Sequence, residues 1–165
     1  MTEVANRGAA FDRCTFRRVR FNASSHQDAA FVNCTFAECN FFDAAFTGCK
    51  FVGSSFEHCR FDAMRVVGGN WSHVSLRGAD LTGASFAGVR LVEADFAGAE
   101  CAGASLRDLD FRGADMHGAD LRRCDLRGSL LDALDPTAAR LEGAIITPEQ
   151  AALLAMALGL DVRAD

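Results

Sequence analysis

The chain has 165 residues, 50% hydrophobic and 24% charged, with a formal net charge of −5, 15 glycines, 14 phenylalanines, one tryptophan and no tyrosine. That length fits one globular domain, and the apolar content excludes a disordered chain. The acidic balance weighs against direct binding of nucleic acid or other acidic partners, because phosphate neutralisation needs clustered Lys and Arg; it leaves basic partners open.

Residues 1–8 read as an N-terminal tail, and a strict period of five then takes over. The series Phe11, Phe16, Phe21, His26, Phe31 and onward to Ile146 has 28 members, of which 26 are apolar and 13 are phenylalanine. Two positions before each member the residue is small, Ala in 12 cases and Cys in 6, and two positions after it Gly appears 12 times. A helix needs apolar spacings of 3 and 4 and a strand needs 2, so neither accounts for a sustained spacing of 5. A short extended pair followed by a turn does, with both apolar residues on one side and Gly supplying the unusual backbone angles of the turn. Repeated, that unit winds a solenoid whose coils stack through backbone hydrogen bonds.

Segments such as Ala79-Asp80-Leu81-Thr82-Gly83, Ala94-Asp95-Phe96-Ala97-Gly98 and Ala119-Asp120-Leu121-Arg122-Arg123 resemble the A(D/N)LXX motif of pentapeptide-repeat proteins. The resemblance implies an all-β, right-handed quadrilateral β-helix over residues 9–146, with four pentads per coil and 28/4 = 7 coils. At roughly 4.8 Å per rung such a rod is about 34 Å long. Its columns are predicted to hold Phe11, Phe31, Phe51, Trp71, Leu91, Phe111 and Leu131 on one face and Phe16, Phe36, Phe56, Leu76, Phe96 and Met116 on the next. Tyrosine is absent because a hydroxyl inside so narrow a shaft lacks a partner.

Six of the seven cysteines, Cys14, Cys34, Cys39, Cys49, Cys59 and Cys124, fall on the small inward position and Cys101 on the large one. Core packing explains that register, with oxidation of Cys14 with Cys34 or Cys39 with Cys59 as the alternative. His26 stands where phenylalanine is expected, within Ser24-Ser25-His26-Gln27-Asp28, which predicts a locally irregular face. His58, His73 and His117 point outward without ligand spacing, and no catalytic motif, metal site or cofactor loop is present, so an enzyme is not expected.

After Ile146 the period stops. Thr147-Pro148-Glu149-Gln150 reads as an N-cap, Pro at the first helical position and a capping-box partner, opening a short helix that ends at Gly159. Residues 147–165 are therefore expected to cap the last coil, and Ile145, Leu153, Leu154, Ala157, Leu158 and Leu160 to form an apolar contact in a homodimer. The run Ala151 to Leu160 is shorter than a membrane span and no basic, apolar leader opens the chain, so a soluble cytoplasmic protein is expected.

This ending is similar to the caps of the Qnr- and MfpA-like members of the family, which implies a C-terminal dimer of about 70 Å by the same rise and a partner in DNA gyrase or topoisomerase IV, bound by mimicry of duplex DNA. Acidic residues outnumber basic ones 12 to 8 in residues 74–148, against 6 to 7 in residues 9–73. Asp95, Asp115 and Asp135 fall in one predicted column and Asp80, Glu100 and Asp120 in another, a carboxylate stripe suited to a basic partner surface. The same aspartates also suit hydrogen bonding to turn backbone. An adaptor rod that binds another protein through Phe42, Val32, Val52 and Val92 is the alternative reading.

Overall fold

The computed structural model describes residues 4–163. Eleven three-residue strands run β1 (Ala5–Arg7), β2 (Ala10–Asp12), β3 (Thr15–Arg17), β4 (Ser25–Gln27), β5 (Ala30–Val32), β6 (Thr35–Ala37), β7 (Ala45–Thr47), β8 (Ser55–Glu57), β9 (Arg65–Val67), β10 (Ser85–Ala87) and β11 (Ser105–Arg107), followed by helix α1 (Pro148–Ala157). Every pairing is parallel and joins residues 20 apart: Ala5 with Ser25, Ser25 with Ala45, Ala45 with Arg65, Arg65 with Ser85 and Ser85 with Ser105. Bridges from Ser105 to Asp125 and from Asp125 to Ile145 continue the register to the end of the repeat. One coil is thus four pentads, and the fold is a quadrilateral β-helix of about seven coils closed by α1.

The period of five follows from the corner geometry. The residue two after each inward ring adopts left-handed backbone angles at nearly every corner, including 13 non-glycine residues with φ between 50° and 58°. Glycine meets that requirement without the Cβ penalty. At Gly128 (φ 76°) a Cβ would in addition overlap the Asp108 carboxylate. Gly69 serves differently: it occupies the small inward position with φ 92°, its missing Cβ avoids the Cys49 carbonyl, and it lies beside Trp71, the largest side chain in the core.

Inside, the rings stack in columns. Centroids are 5.1 Å apart for Phe11 and Phe31, 4.8 Å for Phe31 and Phe51, and 4.2 Å for Phe51 and Trp71. Phe36 lies 4.9 Å from both Phe16 and Phe56 in near-parallel stacks, while neighbouring columns meet edge to face, as Phe31 and Phe36 do. Both arrangements suit the ring quadrupole. No acceptor lies within reach of Trp71, whose Nε1 hydrogen is buried without a partner. All seven cysteines are free. Cys34, Cys39, Cys49 and Cys59 donate their thiols to the carbonyls of Phe11, Phe16, His26 and Phe36, each 23 residues back. Ser54 and Ser129 place hydroxyls on the same kind of carbonyl, those of Phe31 and Leu106, at 2.8 and 2.7 Å.

Three expectations need correction. The tail assigned to residues 1–8 does not hold over residues 5–7, where β1 pairs with β4 and belongs to the first coil. The face at His26 is regular strand, and His26 is only 3% exposed. Its ring stacks on Phe46 at 4.7 Å, and Asn6 Nδ2 lies 2.7 Å from Nδ1. Nε2 lies 2.8 Å from Ser24 Oγ, which itself bonds the Phe21 carbonyl. With Ser24 donating to that carbonyl, Nε2 carries the hydrogen and Nδ1 accepts from Asn6, so one neutral tautomer satisfies the chain. Third, the column expected to carry Asp115 on to Asp135 slips at Pro136: the Gly118 amide bonds Ala138 rather than residue 137, and the bridge from Asp95 to Asp115 has no successor to Asp135.

The ladder also opens in mid-rod. Among the described residues no backbone bond joins the amides of His58, Phe61 or Asp80 to the adjacent coil. A cavity of about 600 Å³ lies there, bordered by Phe56, His58, Cys59, Phe61, Arg77 and Asp80. The same coil holds Gly83, a corner glycine whose φ is not in the left-handed region.

Two predictions follow from the shaft. Phe36→Tyr, at 0% exposure, is expected to lower stability by about 1–3 kcal/mol by burying an unpaired hydroxyl, whereas Phe16→Tyr in the half-buried first coil should be nearly neutral; thermal melts of the two variants check this. Burial holds the His26 imidazole below its ordinary range, so the unfolded chain binds a proton that the folded chain refuses. Stability should therefore rise with pH to about 6.5 and fall below it. Denaturant midpoints between pH 5 and 7 should lose that slope in His26→Phe.

Candidate protein-interaction surface

The carboxylates of the predicted stripe sit one residue before an inward side chain, and the turn uses them. Asp80, Asp95, Asp115, Asp120 and Asp135 each accept the amide two residues on, from Thr82 (3.1 Å), Ala97 (2.9 Å), His117 (2.9 Å), Arg122 (3.2 Å) and Thr137 (2.8 Å). These are Asx turns, and they explain why Asp recurs at this position. The register also aligns some of them: bridges join Asp80 to Glu100, Glu100 to Asp120 and Asp95 to Asp115. Rungs roughly 4.8 Å apart therefore carry Asp80, Glu100 and Asp120 in one column and Asp95 and Asp115 in another, with Asp135 displaced from the second.

Arginine divides the stripe. Arg122 forks onto Asp120 through Nε and Nη2 at 2.8 and 2.6 Å, with Arg140 3.7 Å away, and holds its carboxyl down to about 2. Arg112 and Arg127 fork in the same way onto Asp110 and Asp125 and hold both below the ordinary carboxylate range. Arg77 reaches Asp95 at 2.9 Å. Asp80, Glu100 and Asp115 remain exposed with no arginine partner among the described residues. Three of the six expected acidic residues thus present an unneutralised carboxylate on an aligned column.

The C-terminal end is built around Gln150. Thr147 caps α1, the Gln150 side chain accepts from the Thr147 amide at 2.8 Å, and its Nε2 donates to the carbonyls of Leu126 and Ser129, both at 2.7 Å. The amide thereby occupies the Ser129 carbonyl of the last coil and adds a second donor to the Leu126 carbonyl, which also accepts the Ser129 amide. Leu154, expected in a dimer contact, turns inward and packs on the core. Ile145, Leu153, Ala157, Leu158 and Leu160 are exposed, as are Val162, which continues the same stripe, and Leu130 and Met156, which the sequence pattern does not single out. Leu158 and Leu160 are 54% and 61% exposed.

The thiols carry no sign of reactivity. Burial pushes Cys59 and Cys124 up to about 12 and Cys101 higher still, so each is a protonated packing group. No group of three His, Cys, Asp or Glu among the described residues is placed to hold a metal ion, and no helix is long and apolar enough to cross a membrane.

Comparison with known proteins places this geometry in context. The family model described as a pentapeptide repeat region matches residues 9–86, and that described as pentapeptide repeats matches residues 90–128. Two solved structures of trypsin-treated variants of QnrB1, a plasmid-mediated fluoroquinolone resistance protein, superpose with a TM-score of 0.72 at 22% identity. One match covers 96% of this chain and 90% of the other, and the second 98% of each. No curated protein sequence matches the chain.

The cap should contribute measurably to stability. Gln150→Ala removes three hydrogen bonds and leaves the buried Ser129 carbonyl unpaired, while the Leu126 carbonyl keeps the Ser129 amide, an expected loss of about 1–3 kcal/mol. Gln150→Glu should lose more, because a carboxylate then faces both carbonyls; chemical denaturation at pH 7 compares the two.

Proposed function

The chain belongs to the pentapeptide-repeat family, and from that membership we propose that it is a non-enzymatic, DNA-mimicking rod that binds DNA gyrase or topoisomerase IV and alters their activity or their sensitivity to quinolones or toxins. The observation that carries this reading is the alignment of Asp80, Glu100 and Asp115 on rung-spaced columns in the half of the rod that adjoins the exposed apolar cap. Carboxylates roughly 4.8 Å apart are of the same order as the roughly 3.4 Å axial charge spacing of one DNA strand. Pairing two caps through Leu153, Leu158 and Leu160 would double the columns across a two-fold axis and offer them to a basic saddle. The shared fold with a fluoroquinolone resistance protein supports the same direction.

A second reading rests on Phe42, which is 50% exposed at an outward position. There the rod is an adaptor that binds a different protein through an apolar spot, while Val32, Val52 and Val92 are partly exposed on the opposite face of the coil.

Light scattering should give about 35 kDa, twice the 17.7 kDa of one chain, and Leu153→Asp with Leu158→Asp should return the mass to that of a monomer. In supercoiling assays with purified gyrase, micromolar protein should change the product distribution. The triple variant Asp80→Asn, Glu100→Gln, Asp115→Asn should need roughly tenfold more protein, a loss of about 1.4 kcal/mol. No effect of the unaltered protein on gyrase, with a partner lost on Phe42→Ala, would decide for the adaptor.

A further inference from the structure

We propose that the N-terminal end of the rod is a docking site for an extended, acidic polypeptide segment, which adds one rung to the first coil and seats an apolar side chain in its open shaft. The two ends of the solenoid are finished differently. At the C-terminus, α1 covers the last coil and Gln150 bonds its Leu126 and Ser129 carbonyls. At the N-terminus no described residue plays that part.

β1, β2 and β3 each pair on one side only. In the next coil the amides of Ala30, Thr35 and Asn40 donate back to Ala9, Cys14 and Val19 at 2.8, 2.9 and 3.0 Å. The equivalent amides of the first coil, those of Ala10, Thr15 and Arg20, have no backbone acceptor among the described residues. A row of free ladder groups of this kind is a template for another strand. The shaft is open at the same place. A cavity of about 280 Å³ is lined by Val4, Asn6, Phe11, Phe16, Val19 and Phe21. These three rings are half-buried, whereas Phe31, Phe36 and Phe41, directly on top of them, are no more than 1% exposed. Within this opening Asn6 Oδ1 is buried and has no hydrogen-bond partner, so it wants a donor.

Charge selects the occupant. Arg7, Arg13, Arg17, Arg18 and Arg20 crown the first coil, where Asp12 is the only acid in residues 4–20, a net +4 in a chain of net −5. Asp12 takes Arg13, and Glu38 takes Arg17 and Arg18, which leaves Arg7 and Arg20 without a carboxylate among the described residues. The expectation that acidic partners are disfavoured, drawn from net charge, reverses at this end. A second copy docked end to end would bring two arginine crowns together. A nucleic acid would satisfy the arginines but supplies neither a peptide ladder nor an aliphatic or aromatic plug, so a polypeptide fits more of the surface.

The test uses the full chain and a synthetic peptide of about ten residues, two pentads that each place Phe at the centre, Glu before it and Gly two after it, because the free amides of Ala10 and Thr15 lie on successive faces joined by a left-handed corner. Titration by fluorescence anisotropy should give micromolar binding that weakens at least tenfold on Arg17→Glu, Arg18→Glu, Arg20→Glu, on replacing the peptide's Phe by Ala, and on N-methylating alternate peptide amides. Asp115→Asn at the far end should leave it unchanged, and thermal melts establish that each variant is folded. In NMR spectra the amides of Ala10, Thr15 and Arg20 should shift first. Binding that survives N-methylation, equal binding of a Lys-for-Glu peptide, tighter binding of a single-stranded oligonucleotide, or no binding below millimolar concentration would each overturn the proposal.

Discussion

The 20-residue register is the constraint on which the rest of this molecule depends. Each extended triplet hydrogen-bonds in parallel to the triplet one coil away, and the same step places each inward ring over another at a stacking distance near 5 Å, as with Phe16, Phe36 and Phe56. Backbone pairing and core packing are therefore one interaction seen from two sides. A residue that disturbs one disturbs the other, as Pro136 does when it shifts the Gly118 bond to Ala138. The small inward position obeys the same rule: Cys or Ser is accepted there because its Sγ or Oγ reaches a carbonyl 23 residues back. What looks like a collection of candidate metal or redox cysteines is a consequence of coil geometry.

A repeat that buries its inner face by stacking on neighbours has two ends where no neighbour exists. Gln150 and α1 resolve one end with polar groups on the ladder and Leu154 on the shaft, and leave a second apolar layer outside. The other end presents half-buried phenylalanines and an arginine crown. Segregated charge, basic at the first coil and acidic in the later coils, makes the rod polar along its axis although its net charge is modest. In a dimer joined at the caps, acidic columns would occupy the middle and basic crowns the two tips.

Much of the fold was legible because inward positions admit few residue types. The phenylalanine series, the small residue before it, the Gly-rich corners and the capping box all correspond to observed features. Two of the failures share a cause: an inward position filled by a polar residue is invisible to a hydrophobic pattern. Asn6 bonds the His26 ring inside the shaft, so the face formed by β1 reads as tail and the next as irregular. On the surface the register aligns Asp80, Glu100 and Asp120, and Asp95 with Asp115, but not Asp135, and how far each is neutralised depends on rotamers of Arg77, Arg122 and Arg140 that no periodicity encodes. The arginine crown was readable by counting charge over one 20-residue coil, and a net charge summed over the whole chain concealed it. Outward residues are nearly free of structural constraint, which is why function resides on them.

The register is tested most directly by removing one coil. Deletion of residues 91–110 joins Arg90 to Phe111 in the correct phase, sets Phe111 over Trp71 and Met116 over Leu76, and should give a cooperatively melting rod shortened by about 4.8 Å per chain in X-ray scattering. Insertion of a single alanine after Arg90 should turn every later inward residue out of the shaft and abolish that cooperative melt. Equal tolerance of both changes, or unfolding by both, would contradict the account.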